Sequence, residues 1–165
     1  MAAEGKLFIA AAGAQAAIAK AMPLLEVIGQ KVQVFGEKPS AANLVKLAGN
    51  FLIVNVTEAL GEAMALVAKG GVEKADLLDF LTSTLFGAPI YKNYGSLIVS
   101  ETFEPAGFAA VLAAKDMRLA GEAADNLGVS MPLNDLLRAR LVDGGEGHLA
   151  LTGLSLRASR DAGLK

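Results

Sequence analysis

The pattern of hydrophobic and polar positions changes character near residue 40. Before that point, two short apolar segments at residues 6–9 and 31–35 have the length and composition of strands. Between them, Gln15–Ile28 has helical spacing, and Pro23 inside it predicts a kink or a late start. Because two strands and one helix make a poor independent domain, we interpret residues 1–38 as the last β-α-β unit of a larger sheet whose other strands are missing.

From residue 40 onward the spacing is helical throughout. A long helix is predicted over Ser40–Lys69, which at 1.5 Å per residue gives about 45 Å. Gly128 is a candidate C-cap, and Pro132 suits the first turn of a helix. The predicted fold class is therefore mainly α, with a helical domain over residues 39–165 that follows the β-α-β remnant. Further helices are predicted over residues 74–84, 91–99, 109–127, 132–142 and 149–162.

On a helical wheel, the long helix carries a narrow polar stripe within about a 60° arc, formed by Asn43, Lys46, Asn50 and Thr57. We expect the opposite side to be packed, since it is wholly apolar: Val45, Leu52, Val56, Leu60, Ala63, Val67. The stripe either faces solvent, as such stripes usually do, or faces something specific. So much of the helix is apolar that we expect a homodimer or a higher homo-oligomer, with close backbone approach at Ala59, Gly61, Ala63 and Ala65.

In the helix predicted over residues 109–127, one acidic side chain lies on the apolar side. Asp116 shares its azimuth with Leu112 and Ala120, whereas Lys115 and Arg118 lie on the solvent side. A buried carboxylate needs a partner, because burying an unpaired charge is very costly. A structural salt bridge or a helix cap explains Asp116 as well as a functional role does.

Composition excludes several classes of site. The 165 residues contain no Cys, which rules out disulfides and thiolate metal sites and suits a cytoplasmic protein. The net charge of −2 gives no reason to expect nucleic acid as a partner.

Residues 51–68 are long enough to span a membrane, but Glu58 and Glu62 make a buried helix the preferred interpretation. His148 stands alone without metal-ligand companions, so no metal is expected. No GxGxxG or Walker loop is present.

At this point two segments resemble a known family, the β-hydroxyacid dehydrogenases. Residues 40–50, SAANLVKLAGN, resemble that family's GxxxKxxxN stretch, with Ala42 in the place of its glycine. Residues 103–108, FEPAGF, followed by Lys115-Asp116, look like its later GF…KD segment. The family includes 3-hydroxyisobutyrate dehydrogenase and tartronate semialdehyde reductase, and its helical domain is similar to that of 6-phosphogluconate dehydrogenase.

The resemblance implies a role for each of four residues. Lys46 is expected to be the catalytic lysine that gives or takes a proton, and Asn50 is expected to bind substrate. Lys115 is expected to reach an NAD or NADP cofactor, and Asp116 to support the wall of the cleft. The reaction implied is hydride transfer between nicotinamide and a small 3-hydroxy acid or its semialdehyde, which makes the substrate a small molecule.

The family's dinucleotide fingerprint and its Ser/Gly substrate loop have no counterpart here. The resemblance therefore implies that residues 1–38 are the tail of a truncated, NAD(P)-binding Rossmann-like domain. We expect the isolated chain to be inactive, with most cofactor contacts made by the missing part of that domain. A non-catalytic helical dimerisation module remains the alternative from another class. Imine reductases, which usually replace the catalytic lysine, fit less well because Lys46 is present.

Overall fold

The computed structural model describes residues 2–142 and 147–164. The chain divides into two compact units, Met1–Gly49 and Asn50–Lys165. The cut falls inside the long helix, so the predicted domain boundary at residue 38 stays a prediction.

The first unit is a β-α-β unit, as predicted. After a short 3₁₀ helix at Ala2–Glu4 come β1 (Leu7–Ala11), α1 (Gln15–Ile28) and β2 (Gly29–Val34). The two strands pair in parallel, with Ile9 opposite Val32. Pro23 lies inside α1, which nevertheless begins at Gln15, so the alternative of a late start was wrong.

The second unit is helical, which confirms the predicted fold class. It contains the C-terminal two thirds of α2 (Ser40–Lys69) together with α3 (Lys74–Ser83), α4 (Pro89–Val99), α5 (Ala110–Leu127) and α6 (Pro132–Val142). The segment predicted as one final helix is a 3₁₀ helix at Leu151–Leu154 followed by a short α7 (Ser155–Asp161).

Local sequence explains the ends of these helices. α2 ends at Gly70-Gly71, where Gly71 has a φ of 83° that L side chains rarely adopt. Gly128 closes α5 in the left-handed conformation, as predicted, with a φ of 68°. Pro132 begins α6, where its missing N–H is not needed.

The core of the second unit consists of two clusters. The larger one joins α2, α5, α6 and the second 3₁₀ helix through Val54, Ala113, Met117, Leu137, Leu151 and Leu154. The smaller one joins α2 to α4 through Leu60, Met64 and Ile98. Both clusters include α2, so this helix is the element on which the second unit is assembled.

The packing of α2 agrees with the helical wheel only in part, since Leu60 on the predicted packed side is 4% exposed and belongs to the smaller core cluster. Thr57 and Gly61, on the line of the polar stripe, are buried, whereas Leu52 on the apolar side is 62% exposed. The prediction failed for these residues because the side facing the core contains small and polar residues that let neighbouring helices approach closely. From Asn50 onward, the polar stripe is therefore an interior feature and not a solvated one.

By length and composition, α2 also resembles a membrane-spanning helix. One helix of this kind is weak evidence, since core helices of globular domains share both properties.

Candidate functional site

The polar stripe of α2 contacts α5 at one hydrogen bond. Asn50 is half-buried on α2, and its Nδ2 donates to Oδ2 of Asp116 on α5 across 2.5 Å. Two helices far apart in sequence are thereby joined by an amide and a carboxylate. This bond fixes the orientation of the Asn50 amide. A carboxylate oxygen can only accept a hydrogen bond, so the amide nitrogen must face Asp116.

Asp116 lies where the sequence predicted it, on the buried side of α5. It is 3% exposed, and its neighbours Ala113 and Met117 belong to the larger core cluster. The predicted need for a partner is confirmed, since Asn50 hydrogen-bonds to it. The carboxylate is thus held in a fixed place at the edge of the core.

Lys115 lies beside this pair and extends toward solvent. Its Nζ is 3.7 Å from Oδ1 of Asp116, and its side chain is 53% exposed. Asn50, Lys115 and Asp116 therefore form one polar cluster within the second unit. An ammonium group that is half-exposed beside a buried carboxylate can contact an anionic or carbonyl oxygen of a ligand.

Lys46 belongs to the first unit. It lies on α2 one helical turn before Asn50, which corresponds to a rise of about 6 Å along the axis.

The sequence analysis missed a second polar cluster, around Arg140 of α6. Its Nε donates to Oε1 of Glu58 at 2.5 Å, and its Nη1 donates to Oδ2 of Asp161 at 2.7 Å. Arg157 of α7 donates to the backbone carbonyl of Arg140 at 2.8 Å. These bonds hold α6 and α7 against α2, and no local sequence signal pairs residues so far apart.

Burial governs the ionisation of Glu58. Desolvation raises the pKa of Glu58, and the hydrogen bond from Arg140 opposes that effect without cancelling it. The neighbouring charge of Glu62 raises the pKa further. Oε2 of Glu58 is buried and has no hydrogen-bond partner among residues 2–142 and 147–164. Glu58 is therefore a carboxylate in a costly environment, where Arg140 and, at longer range, Arg157 favour its charged form.

His148, the remaining candidate from the sequence, lies on the surface, and an aromatic pair of the second unit lines a groove. His148 is exposed, and within the described ranges no three metal-ligating side chains come together. The aromatic segment around Phe86 contributes an edge-to-face pair with Tyr91, with ring centroids 5.1 Å apart. Both rings line an open, mostly apolar groove of about 530 Å³, whose other walls are Asn55, Val56, Ala59, Leu60, Ala63, Leu77 and Leu81.

Comparison with known proteins identifies the family. Residues 40–150, more than half of the chain, match the family described as "NAD-binding of NADP-dependent 3-hydroxyisobutyrate dehydrogenase". The oxidoreductase YfjR of Bacillus subtilis, itself uncharacterised, is 39% identical over 143 residues, which cover 87% of this chain and 50% of that protein. Glyoxylate/succinic semialdehyde reductase 1 of Arabidopsis thaliana is 32% identical, over 79% of this chain and 44% of that protein.

The fold matches as well. The crystal structure of 3-hydroxyisobutyrate dehydrogenase from Salmonella typhimurium superimposes with a TM-score of 0.86 at 23% identity, covering 94% of this chain and 55% of that one. The chain thus spans about half the length of the relatives that it matches. The resemblance found in the lysine and GF…KD segments is confirmed, and the chain belongs to the 3-hydroxyisobutyrate dehydrogenase family of NAD(P)-dependent dehydrogenases.

Proposed function

We propose that this chain is the lysine-bearing, C-terminal part of an oxidoreductase that acts on a small 3-hydroxy acid or its semialdehyde. NAD or NADP, when bound, supplies or accepts the hydride at the carbon that carries the hydroxyl or carbonyl oxygen. The family match and the semialdehyde reductase among the relatives support this class of reaction. We also propose that the protein works in the cytoplasm, which its lack of cysteine suits.

In this proposal, Lys46 handles the proton. In the direction of reduction, its ammonium donates a hydrogen bond to the carbonyl oxygen and then transfers that proton, so that an alcohol and a neutral amine result. In the direction of oxidation, the neutral amine takes the proton back. Lysine suits both steps because it is a donor when charged and a base when neutral.

Asn50 orients the substrate beside that lysine. One Nδ2 hydrogen is engaged by Asp116, which leaves a second N–H and the amide oxygen available to a substrate hydroxyl or carboxylate. Asp116 acts on the site through Asn50 by fixing which way the amide points. This hydrogen bond is the observation that carries the proposal, because it joins the buried carboxylate of Asp116 to Asn50, a residue of the family's motif.

Lys115 fits a cofactor contact. Its half-exposed ammonium can donate to a phosphate or carboxamide oxygen of a dinucleotide. A single exposed charge contributes little affinity, so we propose that most of the cofactor contacts lie outside this chain.

The test is turnover in a chimaera. The part of the Bacillus subtilis relative that precedes the matched region is joined to this chain, and reduction of small semialdehydes is followed by the absorbance of the nicotinamide. We expect Lys46→Ala to slow turnover by roughly 10²–10⁴-fold, the usual worth of general acid catalysis, while cofactor affinity is retained. We expect Asn50→Ala to raise KM as well as lower kcat, because it removes a substrate contact.

Lys46→Arg is the matched control, since arginine keeps the charge but does not give up its proton. Activity retained in the arginine variant reduces Lys46 to an electrostatic role. Full activity in the alanine variant contradicts the catalytic assignment.

A second candidate function is a non-catalytic dimerisation module. It is favoured by the outer side of α2 and the adjoining helix α3, where Leu52, Leu66 and Phe80 are all more than half exposed. An active chimaera that depends on Lys46 excludes this alternative as the only role of the chain.

A further inference from the structure

A fully buried amide lies directly behind Asp116. Asn134, in the first turn of α6, is 0% exposed, and its Nδ2 donates to the backbone carbonyl oxygen of Met117 at 3.1 Å. Met117 follows Asp116 on α5. The backbone next to the buried carboxylate is therefore held by a second helix through a side-chain hydrogen bond.

Gly121 makes room for this contact. A Cβ atom at residue 121 would lie 3.1 Å from Nδ2 of Asn134, which is closer than nearly all such contacts. In an α-helix the carbonyl of residue 117 also accepts the N–H of residue 121, so the amide of Asn134 lies where a side chain of residue 121 would begin. The absent side chain of Gly121 in α5 therefore leaves the space that the amide of Asn134 from α6 occupies.

This arrangement is unfavourable for stability alone. Glycine inside a helix lowers its stability, because it loses more backbone freedom on folding than other residues do. Oδ1 of Asn134 is buried and has no hydrogen-bond partner in the described part of the chain, which leaves a desolvated acceptor unsatisfied. A leucine of similar size would leave no buried polar oxygen unsatisfied. The advantage of the contact must therefore lie in the geometry that it fixes.

We propose that Asn134 is a positioning residue that anchors α5 at Met117 and thereby sets the carboxylate of Asp116 against the amide of Asn50. The importance of this geometry for turnover rests on the proposed function, whereas the coupling between Asn134 and Asn50 does not. A hydrogen bond to a helix backbone restricts both rotation and sliding of that helix, and Asp116 is only one residue from the anchored carbonyl.

The experiment measures the Asn50 side-chain amide resonances by NMR in this chain, without cofactor or substrate. In Asn134→Leu, we expect the amide protons of Asn50 to move toward the shifts of a weaker hydrogen bond, because Asp116 is no longer held in place. The resonances of Asn50 report the hydrogen bond between Asn50 and Asp116. A lower free energy of unfolding does not by itself change that bond in the molecules that remain folded.

Leu137→Ala is the matched control. Leu137 is buried one turn later on the same helix and packs in the same core cluster, so its truncation loosens α6 while the amide of Asn134 remains. We expect the Asn50 resonances in this variant to stay near those of the wild type.

Gly121→Ala tests the same contact from the other side and serves if Asn134→Leu does not fold. It raises helix propensity but displaces the Asn134 amide, so we expect the Asn50 resonances to shift as in Asn134→Leu. The proposal is overturned if the folded variants of Asn134 and Gly121 shift the Asn50 amide no more than Leu137→Ala does. Because no turnover is measured, that failure is distinct from failure of the proposed reaction.

Discussion

At the scale of single residues, two carboxylates of the second unit are buried by the fold. Asp116 and Glu58 are both less than 10% exposed, yet they differ in their partners. Asp116 accepts a hydrogen bond from the neutral amide of Asn50, whereas Glu58 accepts one from the charged guanidinium of Arg140. The first arrangement joins α2 to α5, while the second joins α2, α6 and α7.

The raised pKa of Glu58 predicts a pH-dependent contribution to stability. Since the folded-state pKa lies above the unfolded value, the native state takes up this proton first as the pH falls. The contribution of Glu58 to stability is therefore fully present below its unfolded pKa and is lost as the pH rises through the folded pKa. Glu58→Gln removes this dependence.

We expect the free energy of unfolding of the wild type, relative to Glu58→Gln, to increase as the pH is lowered from neutral toward 4.5. Urea denaturation at several pH values measures the difference. The groups that face Glu58 are Glu62 on its own helix, Arg140 on α6 and Arg157 on α7. A difference that stays constant with pH contradicts the assignment of a raised pKa.

At the scale of elements, α2 is the helix on which the second unit is assembled. We expected Gly61 and Ala65 to lie against a second chain, but both are buried within the second unit, so that part of the expectation was wrong. Gly61 instead allows close approach inside the chain, because a Cβ there would lie 3.0 Å from Cα of Ser155.

The surroundings of two glycines in α2 therefore predict opposite effects of a glycine-to-alanine substitution on the free energy of unfolding. Gly61→Ala should destabilise the protein by about 1–3 kcal/mol, the usual cost of overpacking, less the gain in helix propensity. Gly49→Ala is the matched control, since nothing lies within 4 Å of a Cβ at that position. It should stabilise the helix by about 0.5–1 kcal/mol. Thermal unfolding of both variants checks this, and equal effects would contradict the packing seen at Ser155.

At the scale of the whole molecule, the first expectation concerns the cofactor. The chain spans about half of its relatives, and the glycine-rich turn that holds most of a dinucleotide is absent from its sequence. We expect NADH and NADPH to bind this chain weakly or not at all. Calorimetric titration provides the measurement, and micromolar affinity would show that the chain holds the cofactor by itself.

The second expectation concerns association. The side of α2 that faces away from the core exposes Leu52 and Leu66, and the groove beside it is mostly apolar. Exposed apolar surface of this kind commonly marks an interface. We expect a dimer or a larger homo-oligomer at micromolar concentration by analytical ultracentrifugation. Leu66→Glu places a charge on that side and should shift the protein toward monomer, whereas a wild-type monomer under these conditions would refute the expectation.

The sequence by itself determined the order, type and most of the bounds of the elements. The bounds of α1, α2 and α6 agree with the predictions, because periodic apolar positions, Gly70-Gly71 and Pro132 are local signals. The sequence also predicted that Asp116 needs a partner, since an acidic residue on an apolar side requires one wherever the helix packs, whereas the roles of Asn50 and Lys115 came from the family resemblance.

Only the tertiary structure decided which side of α2 is packed and which residues meet. The helical wheel counts apolar side chains, whereas packing also rewards small residues that allow close approach, so Thr57 and Gly61 lie inside and Leu52 lies outside. The pairing of Glu58 with Arg140, and of Asn134 with the carbonyl of Met117, joins residues far apart in the chain. Such contacts depend on the approach of whole helices, which the pattern within any one helix does not contain.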